Sequence, residues 1–586
     1  MKKLLGGFAA MLTVLTLQAE LVLVDSGRSD YRIGLAADAT PVEKSAADEL
    51  RNFVAAATGV TLPVVVGLPE PAGKTILVGR AAEAAGLLAE NTLASLPTDA
   101  ILLRTAGDAL ILAGGAPRGT LYAVYEFLEK ECGIRFWTSR ETFVPRREKL
   151  AVGPLDIEYA PPLISRESFY HDVIDHPQFA SRLRCNGHFE QLDESLGGHY
   201  EIIGWCHTFP ELIPAEKYLA AHPEWFAEVD GKRVATQLCL TNPDLRRELT
   251  ANVLARLRAH PAPAIISVSQ NDSGGEKSYC QCADCRAVDE AEGSPAGSLL
   301  LAVNEVADAV AREFPGVLVE TLAYRHTRKA PRTIRPAPNV LIRLCSIECD
   351  FSKPIDSEAN ASFRDDVLNW SEIATQLAIW NYVTNFSNYL IPHPNLTNLG
   401  NDIRFFADHR VTALFEQGDY QSGGIVGDFV ALRAWLLAKL MWDPSQAQTA
   451  LIDEFLTGYY GEAAPFLKEY LALLEQEVAQ SGIAFGCYHA NTERWLRPAT
   501  IIRAQALLNQ AARAVAADPA KSERVRIAAL PMELVELERR AELKLEDDAA
   551  DRQAAKDRYL KAMRQYQVQH CSEGSDFSRL ETQLKQ

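Results

Sequence analysis

Hydrophobic and polar positions along this chain fall into three regimes, and each predicts a different architecture. From residue 20 to about 160, short apolar runs alternate with helical patterns. Leu21–Val24, Arg32–Leu35, Thr75–Val78, Ala100–Leu103 and Ala109–Ala113 read as strands. Ala46, Leu50, Phe53 and Val54 recur at helical spacing, which predicts a helix over residues 42–57 with Gly59 just past its end. A second helix is predicted around Leu121, Val124, Tyr125 and Leu128 and stops at Gly133, after which Ile134–Trp137 is expected to re-enter the sheet. The pattern predicts a small α/β domain over residues 20–160, with Pro161-Pro162 as linker.

Over residues 161–443 apolar runs and helical stretches repeat. Eight candidate strands are Ile164–Tyr170, Leu183–Phe189, Glu201–Cys206, Ala264–Ser269, Val317–Ala323, Val340–Cys345, Leu377–Tyr382 and Thr412–Phe415. Helical patterns at Leu245–Leu257, Leu299–Phe314, Phe363–Ile373 and Phe429–Trp442 separate the later ones. Alternation predicts a parallel sheet, and eight repeats predict a closed (β/α)8 barrel of TIM type. From residue 444 to 586 strand signals disappear. Helical periodicity over Thr449–Thr457, Ala464–Gln480, Ile501–Ala516 and Ala550–Tyr566 predicts an all-α domain that packs and carries no chemistry.

At 586 residues the chain is too long for one core. Its 77 acidic against 59 basic residues argue against nucleic acid and anionic membrane as partners, while leaving room for a locally basic pocket. Met1–Ala19, with Lys2-Lys3 before an apolar run, reads as a bacterial signal peptide, and no cysteine follows to take a lipid anchor. The mature protein is expected to be exported, periplasmic or secreted, with no membrane attachment. Eleven cysteines are too few for a disulfide scaffold at this length.

In such a barrel, reactive side chains stand just past the carboxyl ends of the strands. Asp272, after Asn271 at the end of the fourth strand, and Glu416, at the end of the eighth, form the leading carboxylate pair, because glycosidic cleavage needs an acid and a second carboxylate that attacks or activates water. Glu348, Asp350 and Asp419 are rivals for the second role. His207 could bind a hydroxyl or assist proton transfer, and Arg325 could bind a sugar carboxylate. Trp380 and Tyr382 could offer a stacking face, with Asn381 on hydroxyls; strand alternation is expected to turn one of the two aromatics into the core. Cys280, Cys282 and Cys285 lie within six residues and suggest a structural clamp. The clamp is either zinc, with Cys345, Cys349 or His326 as fourth ligand, or a disulfide to Cys345 or Cys349. No cofactor is otherwise required, and no nucleophile elbow, P-loop or His-Glu-x-x-His pattern stands at a strand–helix junction.

The wording Gly-x-x-Arg-Gly-Thr-x-Tyr-Ala-Val-x-x-Phe-Leu-Glu, ending in Gly-x-Arg-x-Trp, within Ala109–Trp137 resembles the small domain that precedes the catalytic barrel in bacterial α-glucuronidases and β-hexosaminidases. Trp205–Phe209, His222–Phe226, Gln237–Pro243, Ser269–Cys285, Gly293–Pro295 and Glu320–Thr327 resemble an uncharacterised family of exported bacterial proteins that joins such a domain to a glycosidase-like barrel. The resemblance implies a carbohydrate role, with an oligo- or polysaccharide as partner and a uronic acid or amino sugar as candidate substrate. Asn271-Asp272 departs from the Asp-Glu pair of the hexosaminidases, which weakens the transfer of a specific mechanism from them, substrate assistance included. The sequence thus leads to an exported glycoside hydrolase with Asp272 as acid and Glu416 as base or nucleophile. A non-catalytic glycan-binding protein on the same barrel is the alternative, and a metal-dependent hydrolase using the cysteines is a third.

Overall fold

The computed structural model describes residues 20–67, 73–260, 264–273, 278–489, 491–543 and 549–585. The signal-like segment Met1–Ala19 lies outside them. The chain divides into two compact units: residues up to Arg135 with Phe143–Ala160 and Glu194–Gly197, and a larger unit of Phe136–Thr142, Pro161–Asp193 and Gly198 onward.

The smaller unit is built on a six-stranded sheet in the order Asp156–Tyr159, Ile101–Ala106, Ala109–Gly114, Thr75–Val78, Arg32–Leu35, Val64–Val66. Helix Pro41–Thr58 starts in a reciprocal cap: the Thr40 hydroxyl accepts from the Glu43 N–H, and the Glu43 carboxylate accepts from the Thr40 N–H at 2.7 Å. It ends at Gly59, left-handed with φ 77°. The strand Ala109–Gly114 passes into helix Gly119–Lys130 through a tight crossing, where a Cβ on Gly115 would collide with the Pro97 carbonyl and one on Gly119 with the Ala100 carbonyl. Beside it Arg118 pairs with Asp99 at 3.0 Å, both buried. Those contacts account structurally for the Gly-x-x-Arg-Gly wording. After Gly133 the chain does not re-enter the sheet; Arg135–Phe136 forms a separate ribbon with Thr142–Phe143.

The larger unit holds a curled, all-parallel sheet of seven strands. Their spatial order is Ser165–Phe169, Val411–Gln417, Gln376–Tyr382, Val340–Cys345, Leu318–Ala323, Ile265–Ser267, Ile202–Ile203. Trp205, just past one edge strand, meets Phe415, from the strand next to the opposite edge, at 5.0 Å between rings, so the inner face closes on itself. The predicted second strand, Leu183–Phe189, is not a strand. Arg184 adopts a left-handed backbone there (φ 65°) and breaks the extended run. Side chains hold the segment instead of a ladder. The Glu167 carboxylate accepts from the N–H groups of His188 (3.0 Å) and Phe189 (2.9 Å), and Asn186 bonds the backbone of Arg166 and Ile164. Gly187 is required, because a Cβ would collide with Glu167.

The helical part, from about residue 444, belongs to this same unit. Helices Ala464–Ser481, Pro498–Ala514 and Ala549–Gln565 match the periodicity, and Pro519–Arg539, interrupted in pattern by Pro531, is an addition. The expectation that strands vanish here is corrected by a hairpin of His570–Ser572 and Ser575–Asp576. No helix among the described residues is long and apolar enough to cross a membrane.

Candidate active site

At the carboxyl ends of the curled sheet lies a cavity of about 500 Å³. Phe169, Phe189, Trp205, Trp380 and Phe415 form its aromatic surface, with ring centroids 4.5–5.3 Å apart between successive neighbours. Trp205 and His207 reach it from a segment with left-handed backbone at Gly204 (φ 85°), Trp205 (58°) and His207 (53°). Non-glycine residues adopt that conformation at a cost of about 1–3 kcal/mol each, so the surrounding packing must hold them there. Within the sheet, Arg343 sets its guanidinium 5.2 Å from the Trp205 ring and pairs with the buried Glu320 at 2.7 Å.

Among the described residues, two carboxylates line this cavity, Asp272 and Glu573. Asp272 is exposed, and its Oδ1 accepts from the Tyr324 hydroxyl at 3.3 Å; that hydroxyl accepts in turn from Arg325 Nε at 2.8 Å. Glu573, in the turn of the C-terminal hairpin, accepts from Tyr488 (2.5 Å), Tyr420 (3.2 Å) and Gln417 Nε2 (3.4 Å). Gln417 also accepts from Trp380 Nε1 at 2.7 Å, which ties the acid to the aromatic wall. Three donors thus converge on this one carboxylate.

The structure does not bring Glu416 to Asp272. Phe415 and Gln417 line the cavity while Glu416, between them, points to the other face of the pleated sheet. There it is buried and accepts from Asn381 Nδ2 at 3.0 Å, and burial pushes its pKa up to about 8. Asn381 shares that face and also accepts from Ser346, so it too leaves the sugar-facing set. Asn271 is likewise structural: its side chain donates to the Thr236 carbonyl at 2.9 Å. Of the rival acids, Glu348 pairs with Arg328, Asp350 caps Ser352 and accepts from Phe485 N–H, and Asp419 is buried on Ser422 N–H; none lines the cavity.

Trp380 and Tyr382 both line it, because residues two apart on a strand share a face; the expectation that one is lost to the core is corrected. His207 lines it with Nδ1 donating to the Gln270 carbonyl at 2.7 Å, an assignment that leaves Nε2 as a lone-pair acceptor. Arg325 is exposed beside it, bound to the Tyr324 phenol rather than to a carboxylate.

Residues 136–472 match the family described as Domain of unknown function (DUF4838). The chain belongs to that family. No curated protein matches the sequence. Among solved structures it is similar to BtGH115A, a family GH115 4-O-methyl-α-glucuronidase with specificity for decorated arabinogalactans, at 12% identity and TM-score 0.58 over 97% of this chain and 80% of that one. It also matches a β-N-acetylhexosaminidase from Bacteroides fragilis NCTC 9343 at 13% identity and TM-score 0.41, over 77% of this chain and 95% of that one. The first likeness shows that this DUF4838 chain has a glycosidase-like fold.

Sequence reasoning missed Glu573 and Tyr488, which lie in the part expected to carry no chemistry, and also the aromatic wall of Phe169, Phe189, Trp205 and Phe415, whose rings read as strand core. The cysteine cluster is corrected in one member. Cys280, Cys282 and Cys285 gather with Cys239. Cys345 instead lines the cavity, His326 stacks on Tyr279 at 4.7 Å, and Cys349 stands outside the group.

Proposed function

We propose that this DUF4838 protein is an exported glycoside hydrolase whose curled sheet is a TIM-type barrel with its second strand replaced by the Cys185–Phe189 segment. The observation that carries the reading is one cavity combining an aromatic wall with two carboxylates, Asp272 and Glu573. Aromatic faces bind the apolar faces of sugar rings, and cleavage needs two carboxyl groups. Asp272, exposed and with a single weak donor, serves as general acid. Glu573, fixed in place by three donors, takes the base or nucleophile role first assigned to Glu416. His207 Nε2 is placed to accept from a sugar hydroxyl. The glucuronidase named in the likeness and the exposed Arg325 at the rim favour a uronic-acid substrate over a neutral one.

A screen of chromogenic uronosides, hexosaminides and neutral glycosides tests this, followed by Asp272→Asn and Glu573→Gln on any substrate found. Each variant should keep its melting temperature and lose on the order of 10²–10⁴-fold in turnover. The second reading, a glycan-binding protein, is favoured by uncharged Gln417 standing at the cavity where the last strand of the sheet ends. Glycans that bind without being cleaved, with both variants affecting binding alone, would establish that reading instead.

A further inference from the structure

The cysteine cluster stands on a hairpin that is buried at its base and exposed toward its tip. The antiparallel hairpin Phe226–Val229 and Lys232–Leu238 runs into Cys239, and Cys280 and Cys282 precede helix Ala283–Glu292, whose first turn carries Cys285. The four sulfur atoms all lie within 4.8 Å of one another and all four residues are buried. Cys239 Sγ is 3.6 Å from Cys282 Sγ and 3.9 Å from Cys285 Sγ. A tetrahedral ion with zinc–sulfur bonds of ~2.3 Å sets its sulfurs roughly 3.8 Å apart. A disulfide needs ~2.05 Å and joins only two of them.

The surroundings suit a charged tetrathiolate. The Glu228 N–H donates to Cys280 Sγ at 3.3 Å, the Thr241 hydroxyl stands 3.1 Å from Cys285 Sγ, and the Arg233 guanidinium approaches Cys280 Sγ at 3.9 Å. Such outer contacts orient thiolates and offset the net negative charge that four of them leave on a zinc ion. Around the cysteines the hairpin contributes only Ala227, Val229 and Val234, while its other buried apolar residues, Phe226 and Leu238, sit at its base. An isolated two-stranded hairpin is marginal in water, so it needs a further fastening.

We propose that Cys239, Cys280, Cys282 and Cys285 hold a structural zinc ion that locks this hairpin against the segment carrying Asp272. Zinc replaces four S–H protons with four Zn–S bonds and needs no oxidant. From the locked hairpin, Gln237 clasps Asn271 on both sides. Its Oε1 accepts from the Asn271 N–H at 3.0 Å, and its Nε2 donates to the Asn271 carbonyl at 2.8 Å and to Ser273 at 2.9 Å. Thr236 donates to the Ser278 carbonyl at 2.7 Å on the far side of the loop. The metal thereby positions Asp272 through the hairpin without touching it; only the value of that positioning rests on the proposed hydrolase.

The test uses the full chain expressed with added zinc and purified without chelator. Elemental analysis should find one zinc per chain, released by a mercurial, and all eleven cysteines should titrate once the protein is denatured with chelator. Cobalt in place of zinc should give the intense bands of tetrahedral thiolate coordination, weakened and shifted to higher energy in Cys239→Ser. If that variant does not fold, the cobalt spectrum of the unaltered chain decides. Metal removal should speed amide exchange at Gln237 and Asn271 while leaving the strand Val340–Cys345 unchanged. Nine titrating thiols (11 − 2) would mean a disulfide. Eleven thiols without metal, bound iron, or full zinc content in a folded Cys239→Ser would also overturn the assignment. None of these readouts depends on catalysis, so failure of the hydrolase reading leaves them interpretable.

Discussion

Replacing Glu416 by glutamine should leave turnover intact and change how stability depends on pH. Burial raises this carboxyl from its ordinary 4.5 to about 8, opposed by the hydrogen bond from Asn381. The native state therefore holds the proton more tightly than the unfolded chain. That contribution is complete below about pH 4.5, declines as pH rises, and is exhausted once pH passes about 8. The interval is about 3.5 pH units, which at 1.36 kcal/mol per unit is on the order of 5 kcal/mol in full. Between pH 5 and pH 8 the expected part is about 3–4 kcal/mol. Glutamine mimics the neutral acid: its oxygen can still accept from Asn381, and its amide takes the place of Oε1, which has no partner among the described residues. Urea denaturation at four pH values across that range, followed by tryptophan fluorescence, measures both proteins. Glu167 and Asp419, which burial also raises to about 7, are present in both and cancel in the difference. The stability of Glu416→Gln relative to the parent should climb with pH by the stated amount. A flat difference would refute the claim that Glu416 is neutral and internal, and a large loss of turnover would return it to the reaction.

Arg325→Ala should weaken a uronate ligand by about 1.5–3 kcal/mol, the range for a hydrogen bond to a charged group, and a neutral analogue much less; equal losses in titration calorimetry would make Arg325 a support for Tyr324 alone. Arg343→Met should destabilise the curled sheet by about 3–5 kcal/mol, because Glu320 is left charged and buried; a loss under about 1 kcal/mol in denaturant would show that Glu320 neutralises without strain.

Periodicity located most of the parallel sheet. Val340–Cys345 comes out residue for residue, and the helices around Leu245–Leu257 and Leu299–Phe314 need only small extensions. The failures have specific physical causes. The last strand of the sheet runs on to Gln417 instead of stopping at Phe415, so the pleat, and not a loop, decides where Glu416 points. Leu183–Phe189 contains enough apolar residues to read as extended, but its contacts come from Glu167 and Asn186, which no strand pattern encodes. Asp272 was legible because it follows its strand closely. Cys239 was not, since a single cysteine at a hairpin exit carries no spacing signal toward a group some 40 positions later.

The hairpin turn that delivers Glu573 gives the cavity an order of assembly. Gln417, at the end of the last strand of the sheet, precedes Glu573 by 156 residues. At a translation rate of about 5–20 residues per second, the last strand of the sheet is synthesised roughly 8–30 s before the second carboxylate. During that interval the nascent chain already carries Asp272 and the residues of the aromatic wall but lacks half of the pair. Chains cut short before residue 570 would lack Glu573, the acceptor for Tyr488, Tyr420 and Gln417, so premature termination removes half of the proposed carboxylate pair and strands three donors at once.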